Sequence, residues 1–354
     1  MKGNPGGAGV MIRFDGVHKE YADGTVAVNE LSFDVTEGEL CVLVGPSGCG
    51  KTTTMRLVNR LTEPTRGSVH LDGQDVGGID AVQLRRRIGY VIQQGGLFPH
   101  RTVADNVGTV PSLLGWDRQR IRSRVGELLE LVGLDPARHA RRYPHELSGG
   151  QRQRVGVARA LGADPVVLLM DEPFSAVDPV ARNRLQVEFL RLQAEVGKTV
   201  LFVTHDIDEA IRLGDRVAVF SQGGKLEQLD TPAAVLGSPA SAFVADFVGA
   251  DRGVKRLDVT PIDLSDLDAV NPAGSAANPG SGVGPPSWPA PSVPASGTLG
   301  AAMAAILSAD SGRVSVTDVN GVLLGSLDAD GVHRQLRRSV RDGAASSPPG
   351  PPPS

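Results

Sequence analysis

A glycine-rich loop between a strand-like run and a helix-like run constrains this sequence most. The loop matches G-x-x-x-x-G-K-[ST] with residues Gly45, Pro46, Ser47, Gly48, Cys49, Gly50, Lys51 and Thr52. The apolar run 40–44 precedes it, and a stretch with helical character follows it. Glycines let successive backbone N–H groups converge on phosphate oxygens, and the N-terminus of the following helix favours an anion. A chance glycine-rich turn is the alternative, but the strand-loop-helix context predicts a phosphate-binding loop.

The residues at the end of this loop have distinct expected roles. Lys51 is predicted to reach the β- and γ-phosphates of a nucleotide, and the Thr52 hydroxyl is predicted to bind Mg²⁺. We assign Thr53 and the other residues of the loop to nucleotide binding. ATP and Mg²⁺ are therefore the expected cofactors.

A second motif places two carboxylates after an apolar run. Residues 166–170 are all apolar, and Asp171 and Glu172 follow them directly. Asp171 at the tip of a buried strand would hold Mg²⁺ through its water shell, and Glu172 would orient or deprotonate an attacking water. An ordinary helix cap after a strand is the alternative, which the upstream phosphate loop disfavours.

A third motif, Ser148-Gly149-Gly150-Gln151, precedes another helical stretch. A serine hydroxyl and glycine N–H groups at a helix start could bind a second anion. A simple helix cap looks the same in isolation, but the position of this motif upstream of Asp171 is the most discriminating feature of the chain.

The periodicity predicts an α/β fold. Apolar runs at 40–44, 166–170 and 200–203, with a possible fourth at 216–220, suit a parallel sheet that is covered by helices. Segments 12–17 and 31–35 alternate apolar and polar residues, which predicts an antiparallel sheet. The stretch 102–160 is mainly helical in pattern. The pattern therefore predicts an α/β core with an antiparallel β subdomain, an α-helical subdomain and a small C-terminal α+β module.

Composition divides the chain and limits its partners. We assign residues 10–257 to an ATP-binding domain with a helical subdomain at about 96–160, residues 258–297 to a Pro/Gly-rich linker, 298–340 to a small module and 341–354 to a disordered tail. A net charge of −4 argues against nucleic acid as a partner. Two cysteines and no apolar signal core fit a reducing compartment.

From about Ile12 to Asp251 the sequence resembles the ATP-binding cassette family, the nucleotide-binding subunits of ABC transporters. The loop that ends at Thr52, the Ser148–Gln151 signature and the Asp171–Glu172 pair match family motifs in order. The resemblance implies that the α/β core is a P-loop NTPase (RecA-like) fold. The resemblance further implies roles for Gln93 in binding Mg²⁺ and coupling to a permease, for Asp178 in the D-loop, for His205 as the switch histidine and for Tyr21 in stacking on adenine. Singly, three of these have a structural alternative: a solvated turn residue for Gln93, a core histidine for His205 and a sheet-surface aromatic for Tyr21.

The resemblance also implies a mechanism and partners. Two copies pair head to tail, and the Ser148 and Gly150 of one copy cover the γ-phosphate held by the other. Closure is passed to an integral-membrane permease, with a solute-binding protein acting indirectly. The expected location is the cytoplasmic face of the cell membrane, as a peripheral subunit.

The residues around Gln93 indicate a subgroup within the family. The segment 88–100 looks like the cassettes of osmoprotectant importers for glycine betaine, choline, carnitine or proline. Importers of polyamines, sulfate or sugars are the alternatives, followed by an ABC ATPase that acts on DNA or ribosomes and by a regulatory protein without turnover. Residues 298–327 resemble one cystathionine-β-synthase-like repeat, a module that such cassettes often carry in pairs; a degenerate remnant is the alternative.

Overall fold

The computed structural model describes residues 9–92, 96–175, 177–268, 291–309 and 311–345. The chain divides into two compact units, Met1–Asp230 and Thr231–Ser354.

The strands of the first unit are β1 (Val10–Glu20), β2 (Val26–Thr36), β3 (Leu40–Val44), β4 (Arg66–Leu71), β5 (Gln74–Asp75), β6 (Ile88–Val91), β7 (Val167–Asp171), β8 (Thr199–Thr204), β9 (Arg216–Ser221) and β10 (Lys225–Asp230). Its helices are α1 (Lys51–Val58), α2 (Ala81–Arg86), α3 (Val103–Val107), α4 (Thr109–Leu113), α5 (Arg118–Leu131), α6 (Pro136–His139), α7 (Gly149–Leu161), α8 (Pro179–Val196) and α9 (Ile207–Leu213), with 3₁₀ turns at Val76–Gly78 and Pro144–Glu146.

A six-stranded sheet forms the centre of the first unit. Its order is β10-β9-β3-β8-β7-β6, and only the β9–β10 pair is antiparallel. Every residue of β3 and β8 is buried, as expected for strands covered on both faces. All four predicted strands are present. The carboxyl ends of β3, β7 and β8 therefore lie at one edge, where the loops of a parallel sheet form ligand sites.

Two further layers complete this unit as the sequence predicted. The antiparallel sheet has the order β2-β1-β4-β5, and its apolar side chains join the core of the central sheet, with Phe14 stacked on Phe33. Between residues 96 and 160 every regular element is helical, from α3 to α7. The expected P-loop core with antiparallel and helical subdomains is confirmed.

The second unit is a small α+β structure. Its elements are α10 (Pro232–Gly237), α11 (Ala242–Val248), α12 (Arg252–Val259), a 3₁₀ turn (Leu264–Asp266), β11 (Ser292–Pro294), α13 (Leu299–Leu307), β12 (Arg313–Thr317), β13 (Leu323–Asp328) and α14 (Ala329–Ala345). The sheet order is β11-β12-β13. At the hairpin predicted from 318–321, the Asp318 N–H donates to the Val322 carbonyl at 2.9 Å.

The structure corrects the expected boundaries of this second unit. It begins at Thr231, whereas the sequence analysis ended the ATP-binding domain at 257. Arg256 explains the difference, because its buried guanidinium donates to the Leu336 carbonyl and to the Ser339 hydroxyl of α14. Those contacts tie α12 to the C-terminal helix.

The expected linker and tail are also shorter than predicted. Residues 258–268 pack on the module, where Ile262 belongs to its apolar core, and β11 adds residues 292–294 to its sheet. Helix α14 continues to Ala345, beyond the expected module end at 340. The rest of the linker, at 269–290, and the tail from 346 lie outside the described residues. No helix in the described ranges has both the length and the hydropathy to cross a membrane.

Candidate active site

The phosphate-loop glycines adopt a backbone that other residues resist. Gly50 has φ 94° and precedes α1, and a Cβ built on it would lie 1.9 Å from the Ala27 carbonyl oxygen. Only glycine has room at this approach of β2 to the loop. Gly50 also offers no side chain to cap α1, and the first turn of α1 holds no acidic residue. The first N–H groups of the helix therefore remain available for an anion.

Lys51 is held beneath the loop. Its side chain is buried, and its ammonium donates to the carbonyls of Gly45 at 2.7 Å and Pro46 at 2.9 Å. The Cys49 thiol lies 3.6 Å from the same ammonium, and burial raises the pKa of Cys49. The loop thus encloses one positive charge at the place where the sequence predicted phosphate binding.

Thr52 and Asp171, which are distant in sequence, meet at the tips of neighbouring elements. The Thr52 hydroxyl donates to Asp171 Oδ1 at 3.0 Å. Burial raises the pKa of Asp171, and the hydrogen bond from Thr52 opposes that rise. A hydroxyl and a carboxylate side by side are ligands that Mg²⁺ accepts, so these residues fit the predicted metal. Among the described residues no cluster of three or more His, Cys, Asp or Glu side chains offers another metal site.

Glu172 and His205 form the second pair at this edge. His205 follows β8, and its Nδ1 lies 3.2 Å from Glu172 Oε2. Glu172 has φ 43°, a left-handed conformation that is uncommon for a side-chain-bearing residue and typical of functional sites. Its N–H donates to the Val203 carbonyl at 2.9 Å, and its carbonyl accepts from the Ser175 hydroxyl at 2.9 Å. Both carboxylate and imidazole retain exposed surface, so they can reach a substrate.

Tyr90 is a site residue that the sequence reasoning missed. It lies on β6, which pairs with β7, the strand that ends at Asp171. Burial, followed by the charge of Asp171, raises the pKa of Tyr90, so the two side chains lie close enough to interact. Only the pairing of β6 with β7 reveals the contact, and no sequence motif marks it.

Tyr21, which the resemblance assigns to stacking on adenine, lies beside the phosphate loop. Its hydroxyl is 3.4 Å from the Thr53 hydroxyl, its ring is 39% exposed, and the Lys19 ammonium lies 5.2 Å from the ring centroid. An exposed ring at this place fits a stacking surface for a base.

Substitution of Tyr21 tests that interpretation. Tyr21→Ala is expected to weaken ATP binding about 2- to 10-fold, the range of an aromatic stacking interaction. Tyr21→Phe keeps the ring and loses only the long contact with Thr53, so its dissociation constant for ATP should match that of the parent chain. Fluorescent-nucleotide titration measures both, and equal affinity for all three proteins would remove Tyr21 from the site.

The signature residues lie at the start of α7. The Ser148 hydroxyl accepts from the Gln151 N–H at 3.2 Å, and Gln151 Oε1 accepts from the Ser148 N–H at 3.0 Å. Ser148 and Gly149 are exposed, and Gly150 is half-buried. Within the described part of the chain, no hydrogen bond joins residues 148–151 to the loop 45–53. Hydrogen bonds therefore do not tie the third motif to the phosphate loop of the same chain within these residues.

The remaining predicted residues are Asp178 and Gln93. Asp178 caps α8, and its carboxylate accepts from the Ala181 N–H at 3.0 Å. The sequence analysis did not consider this capping role, and the D-loop role of Asp178 stays a prediction. Gln93 lies outside the described residues, so its two predicted roles stay predictions.

Comparisons with known proteins agree with this geometry. The family model described as "ABC transporter" matches residues 28–175. The osmoprotectant import ATP-binding protein OsmV of Salmonella typhimurium is 51% identical over 251 residues, which cover 70% of this chain and 65% of OsmV. The carnitine transport ATP-binding protein OpuCA of Listeria monocytogenes is 43% identical over 335 residues, covering 94% of this chain and 79% of OpuCA. The match to OsmV thus spans less than two thirds of that relative.

Solved structures show the same fold. The dimeric bacterial ABC transporter cassette MJ0796 is 34% identical with a TM-score of 0.56, and the match covers 63% of this chain and 99% of the cassette. The protein cbiO1 of Clostridium perfringens, part of the ABC transporter complex cbiONQ, is 27% identical with a TM-score of 0.60 over 66% of this chain and 92% of cbiO1. With the phosphate loop, the Thr52–Asp171 contact and the Glu172–His205 contact in place, the chain belongs to the ATP-binding proteins of ABC transporters.

Proposed function

We propose that this chain is the ATP-hydrolysing subunit of an ABC importer for osmoprotectants such as glycine betaine, choline, carnitine or proline. The observation that carries the ATPase is the meeting of Glu172 with His205 beside Thr52 and Asp171, at the carboxyl ends of adjacent strands. The solute class is supported by the names of the relatives, which include OsmV, OpuCA and the choline transport ATP-binding protein OpuBA of Bacillus subtilis, 50% identical over 255 residues.

Each residue of the site has a step in this mechanism. Lys51 and the first N–H groups of α1 bind the β- and γ-phosphates. Thr52 and Asp171 would hold Mg²⁺, which supplies neutralisation of the phosphate charge. Glu172 accepts the proton of the attacking water, and His205 fixes that carboxylate and contacts the γ-phosphate. Gln93 is proposed as a further ligand and as the link to the permease.

The site needs a second copy of the chain to be complete. In one copy the exposed Ser148 and Gly149 lie at the start of a helix that makes no hydrogen bond to its own phosphate loop within the described residues. A head-to-tail pair would bring the signature of one copy onto the nucleotide of the other. Two nucleotides would then hold the closed state, and hydrolysis would release it. The MJ0796 cassette, which this chain resembles, is described as dimeric.

The proposed surroundings follow from that role. The pair would bind an integral-membrane permease at the cytoplasmic face of the cell membrane, and a solute-binding protein would deliver the solute. Residues 298–345 would form one cystathionine-β-synthase-like repeat, because α13, β12, β13 and α14 follow the helix-strand-strand order expected of that module. Val319, Val322, Leu323 and Leu324 are exposed near its hairpin, which supports burial against a partner copy.

Uptake in the source organism tests the function directly. The chromosomal copy is replaced by Lys51→Met, which keeps the length of the side chain and removes its charge, and labelled solutes are offered in high-salt medium. We expect uptake of at least one of glycine betaine, choline, carnitine and proline to fall about 10-fold or more, because a lost phosphate contact removes turnover. Labelled putrescine, sulfate and maltose are the controls. A loss confined to one of those controls would contradict the osmoprotectant assignment in favour of another importer.

A further inference from the structure

The helix that follows the D-loop residue Asp178 and the helix that follows His205 are joined by a buried polar contact. Gln186 lies on α8 and Glu209 on α9, and the Gln186 amide donates to Glu209 Oε1 at 2.9 Å. Gln186 is 4% exposed and Glu209 is 6% exposed. A hydrogen bond shielded from water in this way is costly to break without replacement, so it fixes the distance between the two helices.

The orientation of the Gln186 amide is set by contacts on both of its sides. Its carbonyl oxygen accepts from Arg212 at 3.4 Å, and the same guanidinium nitrogen donates to Asn183 at 3.0 Å. The amino group of Gln186 therefore faces Glu209. Thr204 is the residue before His205, and its hydroxyl accepts from the N–H of Asp206, the residue that caps α9, at 3.0 Å. The Gln186–Glu209 bond thus joins α8 to α9, the helix that begins directly after the histidine.

Arg182 makes a second link between the same segments. One guanidinium nitrogen donates to the carbonyl of Val177, just before Asp178, at 3.4 Å, and another lies 3.7 Å from Asp206, just after His205. Asp206 in turn caps α9, accepting from the N–H groups of Asp208 and Glu209. The segments 177–178 and 204–206 are therefore connected on both sides of His205, whose imidazole contacts Glu172.

We propose that the Gln186–Glu209 hydrogen bond holds the loop that carries His205 in a fixed position relative to residues 177–178. It thereby keeps the His205 imidazole in contact with Glu172. The proposal rests on the ATPase activity proposed above. Neither residue touches the nucleotide site; both act through the position of His205. Residues 177–178 directly precede α8, so a movement of this segment would be passed to the histidine through this pair.

Exchange of the two residues provides a sharp test. Gln186→Leu removes the amide, and Gln186→Glu places two carboxylates against each other; each is expected to lower kcat for ATP hydrolysis about 10-fold or more, since small misplacements of catalytic groups have effects of that size. The double variant Gln186→Glu with Glu209→Gln restores a donor and an acceptor, with the introduced carboxylate also facing Arg212. Its kcat should return to within about 2-fold of the parent, because the hydrogen bond is rebuilt with its polarity reversed.

Controls separate positioning from folding and from the function itself. Asn183→Ala loses an exposed contact with Arg212 and keeps the Gln186–Glu209 bond, so its kcat should equal that of the parent. The dissociation constant for ATP should stay unchanged in all variants, since none touches the nucleotide. Thermal unfolding of each variant identifies any loss that is due to a smaller folded fraction.

Two results would overturn the proposal. One is parental kcat in folded Gln186→Leu, and the other is failure of the double variant to recover although its melting temperature matches the parent. If the parent chain itself binds ATP without hydrolysing it, the proposed function fails separately. A crystal structure of Gln186→Leu then decides the positioning role, because a His205 Nδ1 to Glu172 Oε2 distance still near 3.2 Å would contradict it.

Discussion

Replacing Glu172 by glutamine is expected to reduce ATP hydrolysis by about 10²- to 10⁴-fold, the contribution of a positioned general base. The amide has the shape of the carboxylate and can still face His205 Nδ1, which lies 3.2 Å away in the parent. It cannot accept the proton of the attacking water. Binding of ATP should persist, because Lys51, Thr52 and the N-terminus of α1 are unchanged.

Two measurements test this expectation: the rate of ATP hydrolysis and the association of two copies of the chain. Phosphate release gives kcat, and size-exclusion chromatography with ATP should show a dimer that persists in Glu172→Gln and decays in the parent as nucleotide is consumed. Glu63→Gln is the matched control, since Glu63 is an exposed partner of Arg60. Parental turnover in Glu172→Gln would assign the base to another group, and a chain that stays monomeric with ATP would contradict head-to-tail pairing.

Of the single glycine-to-alanine substitutions in the phosphate loop, Gly50→Ala is expected to lower the free energy of unfolding most. A left-handed backbone at φ 94° costs alanine about 1–2 kcal/mol, and relief of a Cβ built 1.9 Å from the Ala27 carbonyl oxygen costs about 1–3 kcal/mol more. We therefore expect the free energy of unfolding to fall by about 3 kcal/mol, with loss of ATP binding at 37 °C.

Gly48 offers a matched comparison within the same loop. It has φ 80°, and a Cβ there meets no atom within 4 Å. Gly48→Ala should carry the backbone cost alone, about 1–2 kcal/mol. Urea unfolding without nucleotide measures both variants. Equal losses for the two alanines would show that the approach of Ala27 to Gly50 is not what the loop requires glycine for.

The site was largely predictable because its key residues sit in short local patterns. A strand, a glycine loop and a helix are contiguous in sequence, so residues 40–58 specify the phosphate loop without long-range information. The Asp171–Glu172 pair was recognisable for the same reason, as two acids at the end of an apolar strand. Their contacts with Thr52 and His205 follow once parallel strands place their carboxyl ends at one edge.

Other features depend on contacts that no local pattern encodes. Gln186 and Glu209 lie on two helices with ordinary composition, and only the packing of α8 against α9 brings them together. Tyr90 meets Asp171 because β6 pairs with β7. The second unit was placed too late in the chain because α10 to α12 look like the end of the first domain, while the burial of Arg256 against α14 assigns them to the module.

The reciprocal bonds between Ser148 and Gln151 bear on how quickly two copies could close. A serine hydroxyl has two lone pairs and one proton, so it can accept from the Gln151 N–H and donate elsewhere at the same moment. An incoming phosphate oxygen would therefore find this proton free and the rotamer already fixed. Binding of the nucleotide would need no rearrangement of the Ser148 and Gln151 side chains. The conformational entropy of ordering them is lost when the chain folds, not when the two copies close.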